Sequence, residues 1–235
     1  MYGAALPVLL AIAMLALFGV VSYVNLQAAR ARTAAISRIA AERGWTFAAR
    51  DDQWAARFDG APFGTGFGQQ VLNRVGGVHA DRRFIAFDYL YKTREGAGRS
   101  RRTVTHRFSV VAVSTKAVLP HLSVTPEHWF GRFVGRLTGS DIELESEAFN
   151  RAFTVTCEDR RFAVDVLHPQ LMELLLTVPD LGWCLRNGTL RVASPGQHDL
   201  SALDARLATI DRILDEFPPL VWKQYGVDDP GAAPL

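Results

Sequence analysis

The sequence predicts an α+β fold. A single N-terminal transmembrane helix is followed by a mainly antiparallel sheet with helices packed on it, and the chain closes in a helix–hairpin–helix. Three observations predict it. The first 27 residues carry no charged side chain, the middle of the chain alternates with period two, and the last third holds apolar stripes at helical spacing around an Asn-Gly turn.

Ala4 to Val24 is apolar almost throughout, with Leu10, Leu15 and Phe18 along it. At 1.5 Å per residue it spans roughly 30 Å, the thickness of a bilayer's hydrocarbon core. Met1-Tyr2-Gly3 supplies no basic n-region, and the run exceeds the roughly 7–15 apolar residues of a signal peptide, which favours a retained helix. Pro7 falls in the first turn, where its missing N–H costs little, and Tyr2 and Tyr23 fall near the two interfaces. Arg30, Arg32, Arg38 and Arg43 follow the span and no Lys or Arg precedes it. Positive charge stays on the cytoplasmic side, so the expectation is a single-pass plasma-membrane protein with its domain in the cytoplasm.

Beyond the span, Ile36, Ile39 and Ala40 continue a narrow helical stripe to a C-cap at Gly44. The resulting division is a transmembrane anchor over 1–27, a juxtamembrane helix over 28–44 that stands the domain off the membrane, an α+β domain over 45–222 and a disordered tail over 223–235. Asp51-Asp52 reads as the cap of a short helix through Trp54 and Phe58, and Gly60 to Gly68 as a loop. Arg83 to Tyr91 and Val104 to Val113 read as paired strands, with the basic stretch Lys92 to Thr103 as their hairpin loop. His121 to Thr125 suggests a third strand, and Ile142 to Glu147 and Phe149 to Cys157 two more, or one bent near Ala148. Phe162 to Leu176 is helical and restarts at Pro169. Asn187-Gly188 supplies the positive φ angles of a type I′ turn, setting Leu185 opposite Leu190 and Trp183 opposite Val192. Leu200 to Phe217 is an amphipathic helix with Asp199 or Ser201 as its cap.

The blocks FIAFDYLY, THRFSVVAV, DIELESEAFNRAFTV, RFAVDVLHPQLMELLL and FPPLVW resemble a bacterial family of uncharacterised proteins with an N-terminal membrane helix, frequent in high-GC Gram-positive bacteria. The resemblance runs from Glu42 to Trp222 and is most specific in ESEAFNRAF and VLHPQLMELLL. It implies one anchored domain and brings no activity, cofactor or catalytic residue.

A formal charge of +2 does not mark a dedicated nucleic-acid binder. Of the 26 basic residues only Lys92, Lys116 and Lys223 are lysine, so arginine is the chain's default cation. Cys157 and Cys184 have no metal or redox spacing and read as reduced, buried thiols, with a structural disulfide as the minor alternative. The stretch Lys92 to Arg107 concentrates positive charge against Glu95 alone, so Arg94, Arg99, Arg101, Arg102 and Arg107 are the binding candidates. Each basic residue near an anionic leaflet contributes about 1 kcal/mol, and a solvated loop is the bland alternative. Glu143, Glu145 and Glu147 alternate as the solvent face of a strand. His121, Glu127 and His128 form a weak ligand set, lacking both H-E-x-x-H and H-x-x-E-H, and no metal is expected. Gly64 to Gly68 lacks the Lys-Ser/Thr and helix context of a phosphate loop. Phe84, Phe87, Tyr89 and Tyr91 read as core, and Trp129, Phe130 and Phe133 as core or an interfacial segment.

The reading is a membrane-anchored cytoplasmic binding module without cofactor, whose partner is a protein or anionic lipid met through the basic hairpin. The alternative is a membrane-associated enzyme using His106, His121 or Glu143 of the central strands.

Overall fold

The structure is a computed structural model that describes residues 5–60, 62–96, 98–129 and 140–227. One helix, α1 (Ala5–Glu42), carries the chain from the apolar segment into the domain without a break. It ends at Gly44, whose φ of 66° is the left-handed cap the sequence placed there. Strands β1 (Thr46–Arg50) and β2 (Phe67–His79) follow, separated by a 3-10 turn at Asp52–Arg57 and the glycine-rich loop. Then come β3 (Arg82–Glu95), β4 (Arg102–Ser114), β5 (Leu122–Pro126) and the two-residue β6 (Ser140–Asp141). The C-terminal part alternates α2 (Glu147–Ala152), β7 (Phe153–Cys157), α3 (Arg160–Val166), α4 (Pro169–Leu176), β8 (Trp183–Arg186), β9 (Thr189–Pro195), α5 (Leu203–Asp215) and α6 (Pro219–Tyr225).

Among the described residues all strands join one nine-stranded antiparallel sheet in the order β1-β2-β3-β4-β9-β8-β5-β7-β6. The fold is therefore α+β, as the alternation and helical stripes predict. Every second residue of the central strands faces the helices: Phe84 and Ala86 of β3, Val111 and Val113 of β4, Leu190 and Val192 of β9 meet Ile36 and Ala40 of α1 and Leu207, Ile210 and Ile213 of α5. The opposite face is covered by a smaller aromatic cluster, in which Phe58 and Phe63 of the loop before β2 lie on Phe87 and Tyr89.

The β8–β9 hairpin forms in the predicted register, Leu185 opposite Leu190 and Trp183 opposite Val192, with Asn187 and Gly188 at φ 50° and 69°. Cys157 and Cys184 are not joined in a disulfide. They point to opposite faces of the sheet, since Leu122 pairs with Cys157 and Ser123 with Cys184.

Several expectations are corrected. The acidic row does not form, because pairing of this segment with β7 ends with the Ile142 N–H to Val155 O bond, while Glu147 opens α2. Local hydrogen bonding wins there: Ser146 Oγ caps Phe149 N, and the Asn150 amide holds both N–H and C=O of Leu144. Residues 149–152 are accordingly helical rather than extended. α5 starts at Leu203 without a side-chain cap, since the Asp199 carboxylate accepts from Ser201 N and Oγ instead. Asp51 likewise caps nothing and pairs with Arg74. The tail starts later than residue 223, because Lys223 to Tyr225 complete α6 and Val227 bridges to Val118. Residues 228–235 lie outside the described residues.

Candidate membrane-facing site

The expected stand-off between span and domain is replaced by a joint. From Arg32 onward α1 lies on the sheet, with Ile36 and Ala40 in its core. Arg32 Nη1 donates to Asp88 Oδ2 at 2.5 Å and Nη2 to Oδ1 at 3.1 Å, while Nη2 also donates to the His198 carbonyl. Asn73 Nδ2 and the His198 backbone N–H complete the carboxylate's shell at 2.9 and 2.5 Å, and Thr33 Oγ1 donates to Asn73 Oδ1. Asp88 and Asn73 are buried, so this is a bidentate, hydrogen-bonded ion pair of the kind that tolerates burial. Asn73 reaches it from a bulge in β2, at φ 51°. Burial pushes the neighbouring His198 imidazole down to about pKa 4, against the pull of Asp88.

The joint fixes direction. Trp45, just past α1, packs edge-on against Phe84, and a Cβ on Gly77 would stand 2.4 Å from its ring. Arg32 meets Asp88, and Ala29 shares a groove with Leu90. As α1 is followed toward its N-terminus, β3 is followed toward its C-terminus, so helix and strand run alongside in opposite senses. The apolar segment and the β3–β4 hairpin therefore leave the domain at the same end.

That hairpin is the predicted basic element. Pairing continues to Glu95 opposite Arg102, and a turn at Gly98–Ser100 closes it. Gly96 sits at φ 85° with Ser100 O 2.6 Å from where a Cβ would stand, so the tip needs glycine there. Arg94, Arg101 and Arg102 are exposed. Arg102 meets Glu95 at 3.5 Å, and Arg94 lies 5.0 Å above the exposed Phe67 ring. Arg99 is in the turn, and its side chain lies outside what is described. Arg107 does not belong to the tip. It pairs with Leu90 and borders a groove of about 160 Å³ between α1 and the sheet, with Ala29, Leu72, Asn73 and Gln197 among its lining.

The anchor residues Leu10, Leu15, Phe18 and Val24 are exposed along α1, which is long and apolar enough to cross a membrane. Ala4 lies outside the described residues, as do Phe130 and Phe133. Trp129 is half-buried, and the aromatic run Phe84, Phe87, Tyr89 and Tyr91 is core. Tyr91 stacks on His106, which hydrogen-bonds Thr93 at 2.8 Å. His121 precedes β5 while Glu127 and His128 follow it, so a strand of roughly 17 Å separates this ligand set. Glu127 accepts from Thr154 Oγ1, and His128 lies 3.3 Å from Asp180. His106, His121 and Glu143 likewise do not converge: they sit on β4, ahead of β5 and in the loop after β6.

Sequence reading missed the joint and its groove. One signal was available: Asp88 stands at an inward position of an otherwise apolar alternation, Phe84, Ala86, Asp88, Leu90.

The fold defines a class, a single helix-backed antiparallel sheet preceded by one helix long and apolar enough to cross a membrane. No protein-family model and no curated protein matches the chain. Among solved structures, the crystal structure of the mycobacterial trehalose monomycolate transport factor A, TtfA, is similar: TM-score 0.54 at 14% identity, covering 78% of this chain and 94% of that one. The likeness is one of fold.

Proposed function

We propose that this chain is a single-pass membrane protein whose cytoplasmic domain acts by binding rather than catalysis, holding its basic hairpin against anionic headgroups or an acidic partner at the inner leaflet. The observation that carries the reading is the shared exit of the span and the hairpin. From the Leu90–Arg107 pair to the Glu95–Arg102 pair the hairpin extends roughly 17 Å. Laid along α1 from Ala29, that length reaches about as far as Phe18, inside the apolar segment. Arginine at bilayer depth costs about 2.5–3.5 kcal/mol each or more, so the domain leans until the hairpin lies in the headgroup layer. There the tip cations gain about 1 kcal/mol apiece. A fold shared with a protein titled a transport factor supports an accessory role at a membrane.

The test places a fluorophore at either end of β4, on Thr103→Cys or Lys116→Cys in a Cys184→Ala background, in the full chain in lipid nanodiscs. Anionic lipid is expected to blue-shift the probe at 103 but not at 116, in a salt-sensitive way. The variant Arg94→Glu/Arg101→Glu/Arg102→Glu removes the shift. Equal responses at both ends, or a shift that survives charge reversal, rule the reading out. In intact cells Lys116→Cys should resist an impermeant maleimide until permeabilisation; labelling before that would place the domain outside.

A further inference from the structure

The groove beside the joint has the chemistry of a binding site of its own, and we propose that it holds the phosphate end of one anionic phospholipid from the leaflet around the span. This rests on the reading that the domain lies against the inner leaflet.

The groove encloses about 160 Å³, room for roughly five waters' share of liquid volume, hence a phosphate with part of its glycerol. One wall is apolar: Ala29 of α1, with Leu72 and Leu90 half-buried on the sheet. Its floor is polar, with Asp88 only 4% and Asn73 only 5% exposed. The Asp88 carboxylate is already saturated by Arg32, Asn73 and the His198 N–H, so the floor carries no free negative charge. The remaining cation is Arg107 at the rim, for which no ion pair with another described residue is seen, and Gln197 lines the same groove. A planar guanidinium with five donors and an amide in one groove suit a phosphodiester, and the apolar wall suits the carbons that follow it.

Depth agrees with chemistry. Ala29 lies about 7.5 Å along the helix from Val24, where Asn25 ends the continuous apolar run. The headgroup layer outside the hydrocarbon core is about 5–8 Å thick. The groove therefore opens where lipid phosphates lie, against the helix that lipids surround.

The experiment uses the full chain in mild detergent, titrated with phosphatidylglycerol and read by native mass spectrometry. Wild type is expected to retain one lipid per chain. Arg107→Ala should lower its occupancy about tenfold, the loss of one charge-assisted contact, and Arg107→Lys should recover much of it. Ala29→Trp fills the groove from the helix side and should expel the lipid with Arg107 intact. Arg107 is exposed on its strand, so the unfolding midpoint of Arg107→Ala should match wild type. Millimolar inorganic phosphate should leave the lipid bound. Retention unchanged in both Arg107→Ala and Ala29→Trp overturns the proposal, and displacement by inorganic phosphate assigns the groove to free phosphate instead. The hairpin triple reversal should keep the lipid. Loss there, with Arg107→Ala unaffected, would assign the lipid to the hairpin and leave the groove empty.

Discussion

Asp88 is a residue on which the two halves of the molecule meet, since it receives α1, β2 and the loop before α5. Replacing it with alanine leaves the Arg32 guanidinium at the joint without its carboxylate. The expected loss is about 3 kcal/mol, read as a lowered unfolding midpoint. His198 sets a second prediction at this scale. Unfolded, its imidazole takes a proton below about pH 6.5; folded, burial keeps it neutral until about pH 4. Between those values the unfolded chain binds more protons, so stability falls as the pH drops through that window and levels off beneath it. The full effect is on the order of 3 kcal/mol. Asp88, Arg32, Arg206 and Asp199 surround the ring, so His198→Leu is the control, and its acid loss between pH 6.5 and 4 should shrink. Neither ring nitrogen finds a partner among the described residues, so leucine strands no hydrogen bond of the ring. Little of this was legible in the sequence. Arg32, Asp88 and His198 come from three distant segments, and only the inward Asp88 in FIAFDYLY betrayed them.

At the scale of elements, legibility followed turn chemistry. Asn187-Gly188 announced the β8–β9 hairpin and its register because only such residues take two positive φ angles cheaply. The β2–β3 turn has the same geometry but is built from Ala80 and Asp81, at φ 46° and 63°, so nothing in its composition marks where β2 ends. β1 escaped for another reason: as a short, half-exposed edge strand it shows no apolar alternation. The acidic segment failed because Ser146 and Asn150 offered the backbone local partners stronger than a sheet edge. Gly188→Ala should cost about 1–2 kcal/mol through left-handed strain, measured by denaturant midpoint. The remote span–sheet joint should be unaffected, which the pH dependence set by His198 would report.

On the whole-molecule scale, the basic hairpin was readable from charge alone, but its relation to the span was not. That relation exists because α1 docks on the sheet with its N-terminus toward the hairpin tip. The same docking takes Arg107 out of the tip and puts it beside the helix. If the hairpin lies on headgroups as proposed, charge reversal at Arg101 and Arg102 should change how the domain leans while leaving its stability unchanged within about 0.5 kcal/mol, since both side chains are exposed.

The uninterrupted run of α1 from Ala5 to Glu42 makes the molecule a keyed shaft rather than a head on a cord. Each residue of helix turns whatever follows by about 100° and lifts it about 1.5 Å. Inserting one alanine after Gln27 should swing the hairpin a quarter-turn or more around the bilayer normal, so that the face it presented to lipid or partner points elsewhere. Seven inserted alanines nearly restore the bearing but raise the sheet about 10 Å, out of headgroup reach. A lipid response of the probe at residue 103 that fails with one insertion and with seven, in a protein that still folds, would show that both azimuth and height are written into the length of a single helix.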